Sequence, residues 1–130
     1  MTVAPGPGTL VSIGLPVRNA ADRVEGVIRS VLAQDHGRIE LVITDNASTD
    51  RTEEVCRDLA AGDDRIVYHR QPRNIGLLNN FIAAIRLARG EYFRWIGDDD
   101  RLEPDYVSRL LREFAADPRL ILVTSRIAYT

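Results

Sequence analysis

Short apolar runs rich in β-branched residues alternate along the chain with segments in which apolar residues recur every three or four positions. Strands that are separated by helices form βαβ units, so this alternation predicts an α/β domain with a mainly parallel sheet of about five strands and helices on both faces. The predicted strands are Leu10 to Leu15, Ile39 to Thr44, Arg65 to His69, Glu91 to Ile96 and Leu120 to Thr124.

The segments between the strands predict amphipathic helices with one apolar stripe facing the sheet. The stripes are formed in the first helix by Val24, Val27, Ile28, Val31 and Leu32, in the third by Leu78, Phe81, Ile82 and Ile85, and in the fourth by Val107, Leu110, Leu111 and Phe114. Pro104 predicts the first position of the fourth helix. Residues 1–9, which are rich in Pro and Gly, are expected to form a flexible lead before a single domain over residues 10–130.

Composition excludes several classes of protein. The 130 residues are 45% hydrophobic and 28% charged, which is close to the average globular domain and predicts a packed core. The formal net charge is -2 and there is no basic stripe, so nucleic acid is not an expected partner. Cys56 is the only cysteine, and no apolar run approaches the ~20 residues that a membrane-spanning helix needs. We therefore expect a cytoplasmic protein, at most peripheral to the inner face of the membrane.

Polar residues cluster directly after the predicted strands. In open parallel sheets, ligands bind beyond the carboxyl ends of the strands, where the strand order reverses. Pro16, Val17, Arg18 and Asn19 follow the first strand in place of the glycine-rich turn of a dinucleotide-binding domain, which counts against NAD or FAD. Arg18 offers a planar guanidinium for a base or a phosphate. Asn19 can cap the following helix.

The segment after the second strand begins with Asp45. A carboxylate at the very end of a buried strand is an acceptor suited to a base N–H or a ribose hydroxyl, so we favour a binding role for Asp45 over a turn-forming one. The end of the same segment has a structural explanation, because Asp50 and Glu53 can form a capping box for the next helix.

Three consecutive carboxylates, Asp98, Asp99 and Asp100, follow the fourth strand. Like charges at this spacing repel one another, and a divalent cation with oxygen ligands, Mg²⁺ or Mn²⁺, is the usual compensation. Such an ion takes one or two protein carboxylates and leaves its other positions to water and substrate phosphates. The pattern therefore predicts a metal-diphosphate site. The alternative is a solvated acidic turn in which one aspartate caps the next helix.

In this order and spacing, the strand-end segments resemble family 2 glycosyltransferases, which are inverting enzymes with a GT-A fold. The matching segments are residues 11–19, 42–50 and 74–76, followed by residues 90–92, the triple aspartate and Pro104. The resemblance implies a Rossmann-like GT-A domain that binds a nucleotide-diphosphate sugar, with a UDP-sugar as the first candidate. It also implies transfer of the sugar to a hydroxyl of a glycan or lipid-linked acceptor.

The resemblance also implies roles for individual residues. Asp45 corresponds to the acidic residue that reads the base, and Pro16 and Arg18 to the wall that the first strand contributes to the base pocket. Val17 and Asn19, between and beside them, are also expected to bind the donor. Asn74 and Gly76 correspond to a tight turn that contacts the donor.

The triple aspartate corresponds to the DxD motif, with Asp99 at its central metal-contacting position. The usual first aspartate of the motif falls at Gly97, so Asp98 is the candidate to take over the ribose contact. The resemblance places the family's catalytic base further along the chain. The base is therefore expected beyond Thr130, none is assigned among residues 1–130, and the chain is expected to end before the acceptor-binding part.

Two other functions are consistent with these residues. A non-catalytic nucleotide-binding fragment would have the same donor residues. A sugar nucleotidyltransferase is disfavoured, because Leu15 to Asn19 contains no glycine-rich, basic phosphate loop. The strand predicted near Leu120 to Thr124 is expected to leave apolar surface at a sheet edge, which favours a homodimer.

Overall fold

The computed structural model describes residues 5–117. Strands and helices alternate in this range: β1 (Val11–Val17), α1 (Val24–Leu32), β2 (Ile39–Asp45), α2 (Thr52–Gly62), β3 (Ile66–Arg70), α3 (Leu77–Leu87), β4 (Tyr92–Trp95) and α4 (Tyr106–Ala116). The strands form one parallel sheet in the order β3-β2-β1-β4. The α/β class and the parallel sheet are confirmed. The described sheet has four strands rather than about five.

Three of the sequence-based expectations fall outside the described residues. They concern the fifth strand, Leu120 to Thr124, residues 1–4 of the lead, and the end of the chain at Thr130, beyond which the catalytic base is expected. These three stay predictions.

The path of the chain across the sheet fixes which face each helix covers. The chain moves from β1 through β2 to β3 in one direction and then returns past β1 to β4. Because parallel crossovers are right-handed, α1 and α2 lie on one face and α3 lies on the other. Consistent with this, a Cβ at Gly14 of β1 would lie 3.1 Å from the Cβ of Ala84 in α3. Helices cover both faces, as predicted, and the strand order reverses between β1 and β4.

The core is centred on β1 and β2, in which every residue is buried. Strands with helices on both faces bury both sets of side chains, which explains why these two strands are mostly apolar and why their few polar residues are buried as well. The stripe predicted for α1 is confirmed, because its buried residues are Val24, Val27, Ile28 and Val31. None of the described helices is long and apolar enough to cross a bilayer.

The apolar face predicted for α3 is only partly correct: of its four residues, Phe81 and Ile82 are half-buried and the other two are exposed. Leu78 is 72% exposed and Ile85 is 44% exposed, whereas Asn80 and Ala84 are buried. The Asn80 side-chain amide donates to the backbone oxygen of Thr44 at 2.8 Å, and the Thr44 hydroxyl donates to the Asn80 carbonyl at 3.1 Å. The small Ala84 side chain lets α3 approach Gly14 closely. These two contacts with the sheet, rather than the bulk of the leucines, set the rotation of the helix.

A buried carboxylate, Glu40, joins the amino ends of β1, β2 and β4. It accepts hydrogen bonds from the Ser12 hydroxyl at 2.7 Å and from the Arg89 backbone N–H and Nε, both at 2.9 Å. The Gly90 N–H donates to the Ser12 Oγ at 2.8 Å. Burial raises the pKa of Glu40, but the hydrogen bonds from Arg89 and Ser12 outweigh burial and hold that pKa below its ordinary value. The network therefore stabilises the fold above the pKa of an unfolded glutamate, and this stabilisation is lost as the pH falls through the lower folded pKa.

The single cysteine, Cys56, is buried on α2. Burial raises the pKa of the Cys56 thiol to about 12, and the negative charges of Asp45 and Asp50 add to the effect. The thiol is therefore protonated and unreactive in the folded chain.

Candidate functional site

The segments that follow the four strands lie along one edge of the sheet, because the strands are parallel. Hydrogen bonds between these segments join the first to the second, the second to the third and the first to the fourth. The result is one polar surface beyond the carboxyl ends of the strands, and it includes the point between β1 and β4 where the strand order reverses. All the residues predicted to bind donor or metal lie in these segments or at the strand end that precedes them.

Asp45, the last residue of β2, is fully buried and bonded on both carboxylate oxygens. Its Oδ1 accepts from the Ser48 backbone N–H at 2.9 Å and from the Ser48 hydroxyl at 2.6 Å. Its Oδ2 accepts from the Tyr68 hydroxyl at 2.5 Å and from an Arg70 N–H at 3.5 Å. Burial and the neighbouring Asp45 carboxylate raise the pKa of Tyr68, so the phenol stays protonated and remains a donor. The carboxylate predicted to read a base is thus occupied by protein donors.

Asn46, which the sequence analysis did not single out, connects the segments after β2 and β3. Its side-chain Nδ2 donates to Asn74 Oδ1 at 2.9 Å, and its Oδ1 accepts from the Ile75 N–H at 2.8 Å. Asn74 Oδ1 also accepts from the Gly76 N–H at 2.9 Å, which closes the tight turn. Gly76 has a φ of 89°, as expected for a glycine that supplies unusual backbone angles. The position of Asn46 at a strand end was the one signal available in the sequence.

Arg18 is the exposed residue that follows the buried end of β1, where Pro16 and Val17 lie. Its NH1 donates to the carbonyl oxygens of Asn46 at 2.6 Å and Ala47 at 2.9 Å. The guanidinium is therefore held across the ends of β1 and β2, and its other N–H groups make no hydrogen bond to the described residues. A planar cation held in this way can stack on a base or donate to phosphate.

The predicted Asn19 cap and the predicted capping box of Asp50 and Glu53 are not formed. Asn19 does not cap α1, which begins five residues later at Val24; its side-chain oxygen accepts instead from the Thr49 N–H at 2.8 Å. Asp50 does not form the predicted capping box with Glu53; its Oδ1 accepts from the N–H of Thr52, the first residue of α2, at 2.9 Å, and its Oδ2 accepts from the Ala21 N–H at 3.2 Å. Both side chains serve the contact between the loops after β1 and β2, which local spacing does not reveal.

Ala47 has a φ of 55°, a left-handed conformation that costs an alanine roughly 1 kcal/mol relative to its usual one. We expect Ala47→Gly to raise the free energy of unfolding by about 0.5–1 kcal/mol, because glycine adopts this backbone without strain. Urea denaturation measures the change. The matched control is Ala61→Gly at an exposed position within α2, where the same substitution should lower stability by about 1 kcal/mol.

The three aspartates after β4 have three different environments. Asp98 Oδ2 accepts from Arg23 NH2 at 3.0 Å, and Asp100 Oδ2 accepts from the Gly97 N–H at 3.0 Å. Asp99 is exposed and makes no hydrogen bond within the described residues. A Cβ at residue 97 would lie 2.9 Å from Asp100 Oδ2, so the glycine at this position leaves room for the Asp100 carboxylate to close the turn.

The described residues contain no group of three or more metal-binding side chains already gathered around one point. Asp99 nevertheless offers carboxylate oxygens of the kind that Mg²⁺ and Mn²⁺ prefer, and such ions need only one or two of them when phosphates complete the shell. A metal at Asp99 would therefore need water or phosphate oxygens for most of its ligands.

An α/β domain with a parallel sheet has its ligand-binding crevice at such an edge, beyond the carboxyl ends of the strands. Residues 12–130 match the profile of glycosyl transferase family 2, and the chain belongs to that family. It is 36% identical over 114 residues to chondroitin synthase of Pasteurella multocida, a match that covers 88% of this chain and 12% of that protein. It is 36% identical over 105 residues to abequosyltransferase RfbV of Salmonella typhimurium, covering 78% of this chain and 31% of the relative. The chain thus spans less than a third of either relative.

Solved structures agree with the fold. The mannosyltransferase PcManGT of Pyrobaculum calidifontis, in complex with GDP-Man and Mn²⁺, has a TM-score of 0.75 and 25% identity, covering 87% of this chain and 35% of that one. TarS of S. aureus, in complex with UDP-GlcNAc, has a TM-score of 0.76 and 19% identity, covering 82% and 31%. The predicted Rossmann-like GT-A fold is confirmed.

Proposed function

We propose that this chain is the donor-binding part of a glycosyltransferase that uses a nucleoside diphosphate sugar and inverts the anomeric carbon. The observation that carries the proposal is the single polar edge, where segments from all four strands are bonded to one another around the point of strand reversal. Membership of glycosyl transferase family 2 supports the reaction class. In the reaction, an acceptor hydroxyl oxygen bonds to the anomeric carbon while the bond from that carbon to the phosphate oxygen breaks.

The nucleobase of the donor would lie over the segments after β1, β2 and β3. Arg18 is the residue best placed to stack on it, because two carbonyl oxygens fix its guanidinium while other N–H groups stay available. The turn of Asn74 and Gly76 borders the same region. We assign Asp45 a positioning role, since it holds Ser48 and Tyr68 rather than an open acceptor position. UDP-sugars are the first candidate donors and GDP-sugars the second, in keeping with the ligands of the two neighbouring structures.

The diphosphate would lie beside the triple aspartate. Asp99 would hold a divalent cation, with Asp98 and Asp100 next to it, and the ion would supply positive charge to the departing nucleoside diphosphate. The Mn²⁺ in the complex of the mannosyltransferase supports this assignment. The hydroxyl proton of the acceptor would pass to a carboxylate base, which we assign to no described residue and expect beyond Thr130. A glycan or a lipid-linked saccharide is the proposed acceptor.

We expect titration calorimetry to show binding of UDP or GDP in the micromolar to millimolar range, tighter with Mn²⁺ than after chelation. Asp99→Asn should weaken Mn²⁺-supported binding at least ~10-fold. Loss of a group that merely supports a metal ligand typically costs that much, and loss of the ligand itself should cost no less. Its melting temperature should not fall, because Asp99 has no hydrogen bond within the described residues to lose.

Asp64→Asn, at an exposed position before β3, is the matched control and should bind like the wild type. Equal binding with and without Mn²⁺ would overturn the metal assignment. Absence of binding to both nucleotides would overturn the donor site itself.

A further inference from the structure

One ion pair spans the point where the strand order reverses. Arg23 lies in the connection that follows β1, and Asp98 lies directly after β4. The Arg23 NH2 to Asp98 Oδ2 distance is 3.0 Å, and the two side chains are 38% and 26% exposed. The pair therefore lies at the opening between the two strands where ligands of open parallel sheets bind, and it remains accessible from solvent.

The Arg23 guanidinium has N–H donors available in addition to the one that bonds Asp98. Its NH1 bonds Asp22 Oδ1 at 2.9 Å, but the Asp22 side chain is 82% exposed, and surface pairs of this kind contribute little. A guanidinium carries five N–H donors in a fixed plane that suits phosphate oxygens. Arg101, which follows the triple aspartate, lies against Gly26 of α1 and bonds the Asp100 carbonyl, and it makes no ion pair with the three aspartates.

We propose that Arg23 is a diphosphate-binding residue, which Asp98 holds in place until a donor phosphate oxygen replaces the Asp98 carboxylate. This inference rests on the proposed function and assigns a further residue to it. An anionic ligand that approaches three consecutive carboxylates needs a compensating cation, and Arg23 supplies one from the chain itself. Exchange keeps the guanidinium paired with an anion throughout, so the Arg23 charge is never left unpaired when the ligand binds.

The exchange has a consequence that can be measured without metal. In the unliganded chain, Asp98 competes with phosphate for the same guanidinium. Asp98→Asn removes the competitor, so it should tighten binding of the diphosphate in the presence of EDTA. The gain should depend on Arg23 and disappear when Arg23 is also replaced.

The experiment measures binding of UDP, GDP, uridine and guanosine in EDTA to four chains: wild type, Arg23→Gln, Asp98→Asn and the double variant. We expect Arg23→Gln to weaken diphosphate binding about tenfold, as for loss of a charge-assisted hydrogen bond, and to leave nucleoside binding unchanged. Asp98→Asn should tighten diphosphate binding severalfold. Arg29→Gln is the matched control, because Arg29 lies on α1 and pairs with Glu25 away from the site.

The outcomes separate this inference from the proposed function. A wild-type chain that binds neither diphosphate would overturn both. Wild-type and Arg23→Gln chains that bind the same diphosphate equally would overturn the inference alone. A gain from Asp98→Asn that persists in the double variant would show relief of repulsion only and would overturn the exchange.

A second variant covers the case in which Arg23→Gln does not fold. Arg23→Lys keeps the charge but loses the planar donor set. This variant should therefore bind the diphosphate more weakly than the wild type does, but more tightly than the wild type binds the nucleoside. An Arg23→Lys chain that binds the diphosphate as tightly as the wild type would overturn the role of the guanidinium.

Discussion

Asp45→Ala is expected to lower the free energy of unfolding by about 3 kcal/mol or more, a large part of the stability of a small domain. The substitution removes the shared acceptor of the buried Ser48 N–H and of the half-buried Tyr68 hydroxyl and Arg70 guanidinium. Orphaned buried donors are costly because they have also lost water. Urea denaturation followed by circular dichroism measures the loss.

The matched control for this experiment is Asp58→Ala. Asp58 is an exposed aspartate on α2, and its replacement should change stability by no more than about 0.5 kcal/mol. A small stability loss for Asp45→Ala together with loss of nucleotide binding would contradict the positioning role and return the Asp45 carboxylate to direct contact with the base.

Gly90→Ala should lower the free energy of unfolding by about 2–3 kcal/mol, at the upper end of the range for overpacked sites. A Cβ at Gly90 would lie 2.6 Å from the Ser12 Oγ, 2.7 Å from the Ser12 backbone nitrogen and 2.9 Å from the Leu10 carbonyl oxygen. Two of these atoms belong to the backbone, so they cannot rotate away. The displacement would also weaken the bond from the Gly90 N–H to Ser12 and loosen the Glu40 network.

Gly37→Ala provides the comparison, because no atom lies within 4 Å of a Cβ at Gly37. We expect that variant to unfold at nearly the wild-type urea concentration. If Gly90→Ala also unfolds at nearly the wild-type urea concentration, the loop before β4 can move away from β1 at little cost. The close approach of Gly90 to Ser12 and Leu10 would then not restrict that loop.

The sheet was predictable because its central strands are buried on both faces. β1 and β2 are therefore mostly apolar in the sequence, with few polar positions, and α1 between them has one narrow stripe. The apolar pattern did not predict the buried face of α3. Residues 77–87 are apolar on more than one side, so periodicity did not select the face, and the choice was made by Asn80 and Ala84 through contacts with β1 and β2.

The location of the candidate site was predictable for a topological reason, because residues that follow parallel strands share one edge of the sheet. The partners of those residues were not. Arg23 and Asp98 are separated by 75 positions, and no local pattern connects them. The carboxylate of Asp45 was expected to be open, but residues from β3 occupy it. Pairing across strands depends on register and burial, which a single sequence does not state.

Chemical modification of Cys56 can report local opening of the folded chain, because its thiol is buried on α2. Alkylating reagents attack the thiolate, and a buried thiol with a pKa of about 12 offers almost none of it while α2 stays in place. Modification in native buffer therefore counts the molecules in which α2 has moved off the sheet, in the same way that amide hydrogen exchange counts open states. Because Cys56 is the only cysteine, a single mass shift on the intact chain reports this motion without an introduced label.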